Sequence, residues 1–196
     1  MWIETKTDLD TNSLIYNNLK INLMANALPQ LDFMQAIKLA YSRLTDTKGR
    51  SRRSEFWWAM LVLCVGGGII AAILKGIPYI GFWLWLIISI ATLILSLPLL
   101  MRRMHDIGKG DGLVQAYAII YAVYIFVYFL TWLFFHLGWV STLITGVLTV
   151  LVCIALGVIG IILIVFCAQD GVPQTNDWGP SPKYVDGPAA PQNPAQ

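Results

Sequence analysis

The stretch "YIGFWLWLIISIATLILSLPLLMRRMHDIGKGDGLV", residues 79–114, changes character at a single point. Residues 79–101 contain no Asp, Glu, Lys or Arg. Arg102, Arg103, His105, Asp106 and Lys109 then follow one another closely, and the chain turns apolar again at Leu113. An uninterrupted apolar run of this length, without the alternation of a half-buried strand, predicts a helix that crosses a bilayer, which takes roughly 20 residues.

Three further runs repeat the pattern: 56–74, 113–135 and 139–168. None carries a charged residue. Only helices and closed barrels satisfy their backbone groups in lipid. The expected fold is therefore an all-α integral membrane protein with a four-transmembrane-helix bundle. The fourth run exceeds a minimal span, so it should tilt or continue into the interface. Composition agrees: 57% of the 196 residues are hydrophobic, 12% are charged, and the mean hydropathy is +0.66. Soluble domains carry about 25% charged residues.

The connections at 75–78 and 136–138 are tight, so spans one and two should form a hairpin, as should spans three and four. Lys and Arg near the span ends fix orientation. Five precede span one (Arg43, Lys48, Arg50, Arg52, Arg53), three lie in the middle connection and Lys183 lies in the tail, nine in all against Lys75 alone on the other side. Both termini and the middle connection are expected in the cytoplasm.

Before span one, Phe33, Ile37, Ala40, Tyr41 and Leu44 fall on one helical face, with Lys38 and Arg43 away from it. This predicts an N-terminal amphipathic helix, either in the membrane interface or packed on the chain's own loops. Residues 1–30 are weakly patterned and rich in Asn, which predicts a mobile extension, with Met24 as an alternative start. Residues 31–183 form the membrane domain, and 184–196 read as a disordered Pro/Ala/Gln tail. No signal peptide is visible, because the first apolar run follows a long polar stretch.

Polar residues inside the spans fall on stripes. Ser89, Thr92 and Ser96 share a face of span two. Tyr117, Tyr121, Tyr124 and Tyr128 do so in span three, and Thr142, Thr145 and Thr149 in span four. Gly67 and Gly68 in span one permit close helix approach. Hydroxyls bonded across a bundle interior are favoured over a polar-lined cavity for a small molecule, because Ser, Thr and Gly are common at membrane helix interfaces. No ionisable residue lies at mid-membrane depth, which argues against a charge-coupled transporter or pump.

Three polar motifs meet one membrane face: "KGRSRRSEFWW" (48–58), "RRMHDIGKGDG" (102–112) and "QDGVPQTNDWGPSPK" (169–183). In the first, Ser51 fits a helix N-cap and Glu55 fits the opening turn. In the second, Asp106 can pair with Arg102 or Arg103 if helix continues, and Gly108 can end that helix. In the third, Asp170-Gly171 makes a turn and Asn176 can form an Asx turn. The candidate network on this face comprises Arg50, Arg53, Glu55, Arg102, Arg103, His105, Asp106, Gly108, Asp170 and Asn176.

No nucleophile–base triad, GxSxG or phosphate loop occurs, and no catalytic residue is assigned. Cys64, Cys153 and Cys167 lie far apart and read as buried spectators; no metal site or cofactor is expected. The formal net charge of +2 gives no case for nucleic acid. Expected partners are membrane lipids, anionic headgroups among them, and a protein not identified; the sequence leaves the oligomeric state open. The leading functional expectation is a structural, interaction or regulatory membrane component. Alternatives are a protein or enzyme acting on a lipid headgroup or phosphorylated ligand, with Arg102 and Arg103 as the phosphate clamp and His105 as acid or base, and a small-molecule channel or transporter.

"GRSRRSEFWW", "RRMHDIGKG" and "DG…N.WGPSP", in this order around four spans, resemble the bacterial inner-membrane family called domain of unknown function 805. The resemblance covers about residues 33–183. It implies a small multi-pass protein of the bacterial inner membrane with four spans and no established biochemical activity. This chain departs from the family pattern after its central glycines, where Gly110-Asp111-Gly112-Leu113 stands in place of a frequent Ser-Gly-Trp.

Overall fold

The structure, a computed structural model, describes residue 14 and residues 27–77, 80–135 and 139–184. The side chains of residues 75 and 139–142 are not described. The proposed start at Met24, most of the 1–30 extension and the tail beyond Tyr184 lie outside the described residues.

The described residues are helical and contain no strand, only isolated bridges. Helix α1 spans Phe33–Ser42, α2 Arg53–Leu61, α3 Gly67–Lys75, α4 Gly81–Asp106, α5 Gly112–Phe135 and α6 Trp139–Ala168. A π-helical turn, Val62–Gly66, joins α2 to α3, so span one is one continuous rod interrupted by a bulge. Four segments are long and apolar enough to cross a membrane: Arg53–Leu74, Gly81–Asp106, Gly112–Phe135 and Leu143–Ala168. Their outer faces carry exposed Ile69, Ile87, Ile94, Phe126, Val147 and Ile161. Such a face suits lipid and would be costly in water.

α4 runs on through Arg102, Arg103, His105 and Asp106, beyond the apolar run that ends at Met101. Pro98 sits within it and removes the amide that would bond the carbonyl of Ile94. The helix stops in a Schellman turn: the Gly108 N–H donates to the His105 carbonyl at 3.1 Å and the Lys109 N–H to the Met104 carbonyl at 2.9 Å. Gly108 takes φ +73°, a conformation that glycine adopts without a Cβ clash.

The core lies at one end of the bundle. Phe56, Leu99, Leu100, Met104, Val114, Leu163 and Cys167 pack together beside the polar motifs. Toward the opposite end, Phe82 stacks on Trp132, with centroids 4.3 Å apart. α1 packs against α2, with Ala36 and Ala40 buried and Phe33 edge-on to Trp58 at 5.2 Å.

The hydroxyl stripes bond largely to their own helices. Ser89 Oγ donates to the Trp85 carbonyl at 2.9 Å, Ser96 Oγ to Leu93 at 2.8 Å, and Thr149 Oγ1 to Thr145 at 2.8 Å. Between spans, Thr149 meets Thr131 at 3.1 Å, a partner outside the stripe read from the sequence. Tyr117, Tyr121, Tyr124 and Tyr128 form a ladder of ring contacts, and Trp85 of span two packs on Tyr128 at 4.4 Å. A Cβ on Gly67 would stand 3.3 Å from Thr92 Oγ1, so Gly67 marks a close approach of spans one and two; one on Gly68 would meet open space. Thr145 is buried, and the side chain of Thr142 is outside the described residues. Cys167 is buried, but Cys64 and Cys153 are exposed on the apolar surface, contrary to the expectation of three buried cysteines.

Candidate functional site

The three polar motifs converge on one end of the bundle and form a buried ionic clasp. Arg50, Arg102, Arg103, Glu55 and Asp106 are all at most 4% exposed. The three arginines outnumber the two carboxylates. The surplus charge is met by backbone carbonyls, which suit a guanidinium with five donors in a planar fork.

Asp106 is the hub. Arg103 Nη1 donates to its Oδ2 at 2.5 Å, and Arg50 Nε donates to its Oδ1 at 3.1 Å. Arg103 also donates from Nε to the Cys167 carbonyl at 3.0 Å, from Nη1 to Ser51 at 3.3 Å and from Nη2 to Gln169. These carbonyls include the C-terminal end of α6, where the helix dipole favours a cation.

Arg102 turns the other way. Its Nη2 reaches Glu55 Oε1 at 3.4 Å, and its Nη1 donates to the carbonyls of Arg43 and Asp46. The i,i+4 pair Arg102–Asp106 expected from the sequence does not form; the Arg103–Asp106 pair does. Glu55 does stand in the opening turn of α2, but as a buried partner of Arg102. Ser51 is not the N-cap either: Arg52 holds that position, and the buried Ser51 hydroxyl bonds nothing among the described residues. The Ser51 backbone is committed instead to Arg102, its N–H donating to that carbonyl at 3.1 Å.

Residues 169–184 are strapped across this clasp. Arg50 Nη1 donates to Gln174 at 2.8 Å and Gly179 at 3.2 Å, and Nη2 donates to Val172. The Val172 N–H donates to the Asp106 carbonyl at 2.8 Å. Asn176 Nδ2 donates to the His105 carbonyl at 2.9 Å, while its Oδ1 accepts the Trp178 N–H at 3.1 Å, an Asx turn. Farther along, the Leu28 N–H donates to the Lys183 carbonyl at 2.8 Å and Ala27 bridges Tyr184.

His105 lies in the same layer. Its Nδ1 stands 3.1 Å from the Gly49 carbonyl and its Nε2 2.8 Å from Asp111 Oδ1. Trp178 stacks on the ring at 4.5 Å, nearly parallel at 9°. Both ring nitrogens and one face are thus engaged within the chain. Sequence reasoning did not assign Trp178 or Asp111; a lone aromatic in the Gly/Pro-rich "NDWGP" was the available signal.

Arg53 and Asp170 form a separate, exposed pair. Arg53 Nη2 stands 2.7 Å from Asp170 Oδ1, with the two side chains 43% and 60% exposed. Lys183 Nζ reaches the same oxygen at 3.2 Å. Burial works against the Lys183 ammonium, but hydrogen bonds to Tyr184 and Asp170 outweigh it and raise its pKa. Arg52, unassigned from the sequence, donates to the carbonyls of Pro182 and Pro29. Among the described residues no three His, Cys, Asp or Glu side chains gather so that they could hold a metal ion.

Four lipid-compatible helices closed at one end by a buried arginine clasp define a multi-pass helical membrane protein. The family described as "Protein of unknown function (DUF805)" matches residues 44–180, more than half of the chain, and the chain belongs to it. The match takes in the first two polar motifs, the third as far as Pro180, and every span. No curated protein and no solved structure matches the chain.

Proposed function

We propose that this chain is a non-enzymatic component of the bacterial inner membrane, with both termini and the connection between spans two and three in the cytoplasm. It acts as a structural, interaction or regulatory module. α1 lies along the interface as an amphipathic helix and helps the clasp to present one rigid cytoplasmic platform to a partner protein.

The observation that supports this reading is the state of Arg102 and Arg103. Both side chains are 0% exposed; every Arg103 nitrogen and both terminal nitrogens of Arg102 donate to carboxylates or carbonyls of the chain itself, and the Arg102 Nε, which bonds nothing among the described residues, is sealed from solvent. A phosphate clamp or a turnover site needs donors that a ligand can reach. His105, the sequence's candidate acid or base, is likewise 3% exposed in its side chain. The channel alternative gains no support from the span hydroxyls, several of which bond carbonyls of their own helices.

Alanine at Asp106 tests the reading. Loss of monodisperse, folded protein on size exclusion in detergent is the expected result. A variant that folds as well as the parent would exclude a structural role for the clasp. Reporter fusions after Lys109 and after Gln196 test the placement; each should report the cytoplasm, and an externally active reporter at either site would reverse it.

A further inference from the structure

We infer that a cavity beside the clasp, bounded by Arg52, Arg53 and Lys183, binds a phosphate-bearing anion, supplied by an anionic phospholipid headgroup or by phosphate in solution. This goes beyond the structural role proposed above and uses different arginines from the buried pair.

The cavity has a volume of about 460 Å³ and is lined by those three cations, by Asp170, and by Trp57 and Trp58. Arg103 and Asp106 also contribute to its lining, but they are buried and neutralise each other at 2.5 Å. What remains is three cations against the single carboxylate of Asp170. Arg53 Nη2 and Lys183 Nζ converge on one oxygen of that carboxylate, at 2.7 Å and 3.2 Å. Two donors from distant parts of the chain are thereby already aimed at one anionic oxygen. Arg52 has its Nε and Nη1 taken by the Pro182 and Pro29 carbonyls, and its Nη2 makes no bond among the described residues. Carbonyl contacts fix the guanidinium without neutralising it.

Exposure separates this site from the clasp. Arg53 is 43% exposed and Asp170 60%, so a ligand reaches them, whereas the clasp arginines are closed. Trp57 and Trp58, 38% and 39% exposed in the first turns of span one, are the side chains expected at headgroup depth. Their position places a lipid phosphate level with the three cations. Asp170 opposes an added anion while it orders Arg53 and Lys183. Removing its charge should therefore strengthen binding.

The test uses the full chain, purified in detergent and stripped of lipid, with phosphatidylglycerol, phosphatidylcholine and inorganic phosphate as probes. Native mass spectrometry counts bound molecules, and titration gives the affinity. Saturable binding of phosphatidylglycerol over phosphatidylcholine is expected. Arg53→Ala with Lys183→Ala should weaken it by on the order of ten-fold or more, the loss expected for charge-assisted bonds. Asp170→Asn should tighten it. Displacement of the lipid by inorganic phosphate at equal concentration supports the site and assigns it to phosphate in solution; no displacement supports it and assigns the headgroup. Equal binding of both lipids with no binding of inorganic phosphate overturns the inference. So does a double variant that binds like the parent. The ligand-free unfolding temperature of each variant is measured alongside, and Arg53→Gln with Lys183→Gln replaces a double variant that fails to fold. A clasp that stays folded without anion binding rejects this site alone.

Discussion

Gly171 passes so close to Asp106 that a Cβ at position 171 would overlap the Asp106 carboxylate. The hub of the clasp is therefore covered by bare backbone of the C-terminal segment. Only a residue without a side chain lets the Val172 N–H reach the Asp106 carbonyl while the carboxylate keeps Arg50 and Arg103. Gly171→Ala should force the strap off the clasp or the carboxylate out of place. Overpacking of this kind costs about 1–3 kcal/mol. A lower unfolding temperature in detergent is the expected outcome, and an unchanged one would show that the strap has slack.

Arg103→Ala should be among the most damaging single changes. It leaves Asp106 with Arg50 as its remaining cation, and strips the Cys167, Ser51 and Gln169 carbonyls of a donor. Breaking a buried pair by deleting one partner costs about 3–5 kcal/mol. Arg103→Lys should recover only part, because an ammonium cannot span those directions with a planar fork. The folded fraction on size exclusion measures both.

Arg50 ties three carbonyls of the strap, at Val172, Gln174 and Gly179. In Arg50→Ala the segment 169–184 should open more often while the spans stay helical. At about 1 kcal/mol for each lost bond, cleavage there should accelerate on the order of a hundred-fold. Limited proteolysis read by mass spectrometry gives the rate, and circular dichroism checks the helices. Cleavage confined to other segments would contradict the strap.

Gly108→Ala tests the end of α4. At φ +73° a Cβ costs about 1–2 kcal/mol. The expected result is a modest fall in unfolding temperature without loss of the folded peak. A fall as large as that of Arg103→Ala would mean that the turn holds more than its own conformation.

The four apolar segments and their helical character could be read from composition because burial in lipid is a local property, summed over a window of adjacent residues. The end of α4 was harder to read. Its continuation through Arg102–Asp106 was only conditional in the sequence, since helical spacing allowed Asp106 either arginine. The structure selects Arg103, because Arg102 is drawn to Glu55 and to the carbonyls after α1. Ser51 shows the limit of local rules: it has the chemistry of an N-cap, yet the tertiary contact between its N–H and Arg102 sets the helix start one residue later.

By itself, then, the sequence determined how many helices can cross a bilayer and where the polar motifs interrupt them. The tertiary structure decided which arginines are sealed and which stay open. Glu55 and Arg102 are 47 residues apart, Arg50 and Asp106 56, and Arg50 and Gly179 129. No periodicity carries information over such separations. A guanidinium can donate to a carboxylate, a carbonyl or a phosphate, so its partner is fixed only when packing brings one of them within reach and excludes water from the rest.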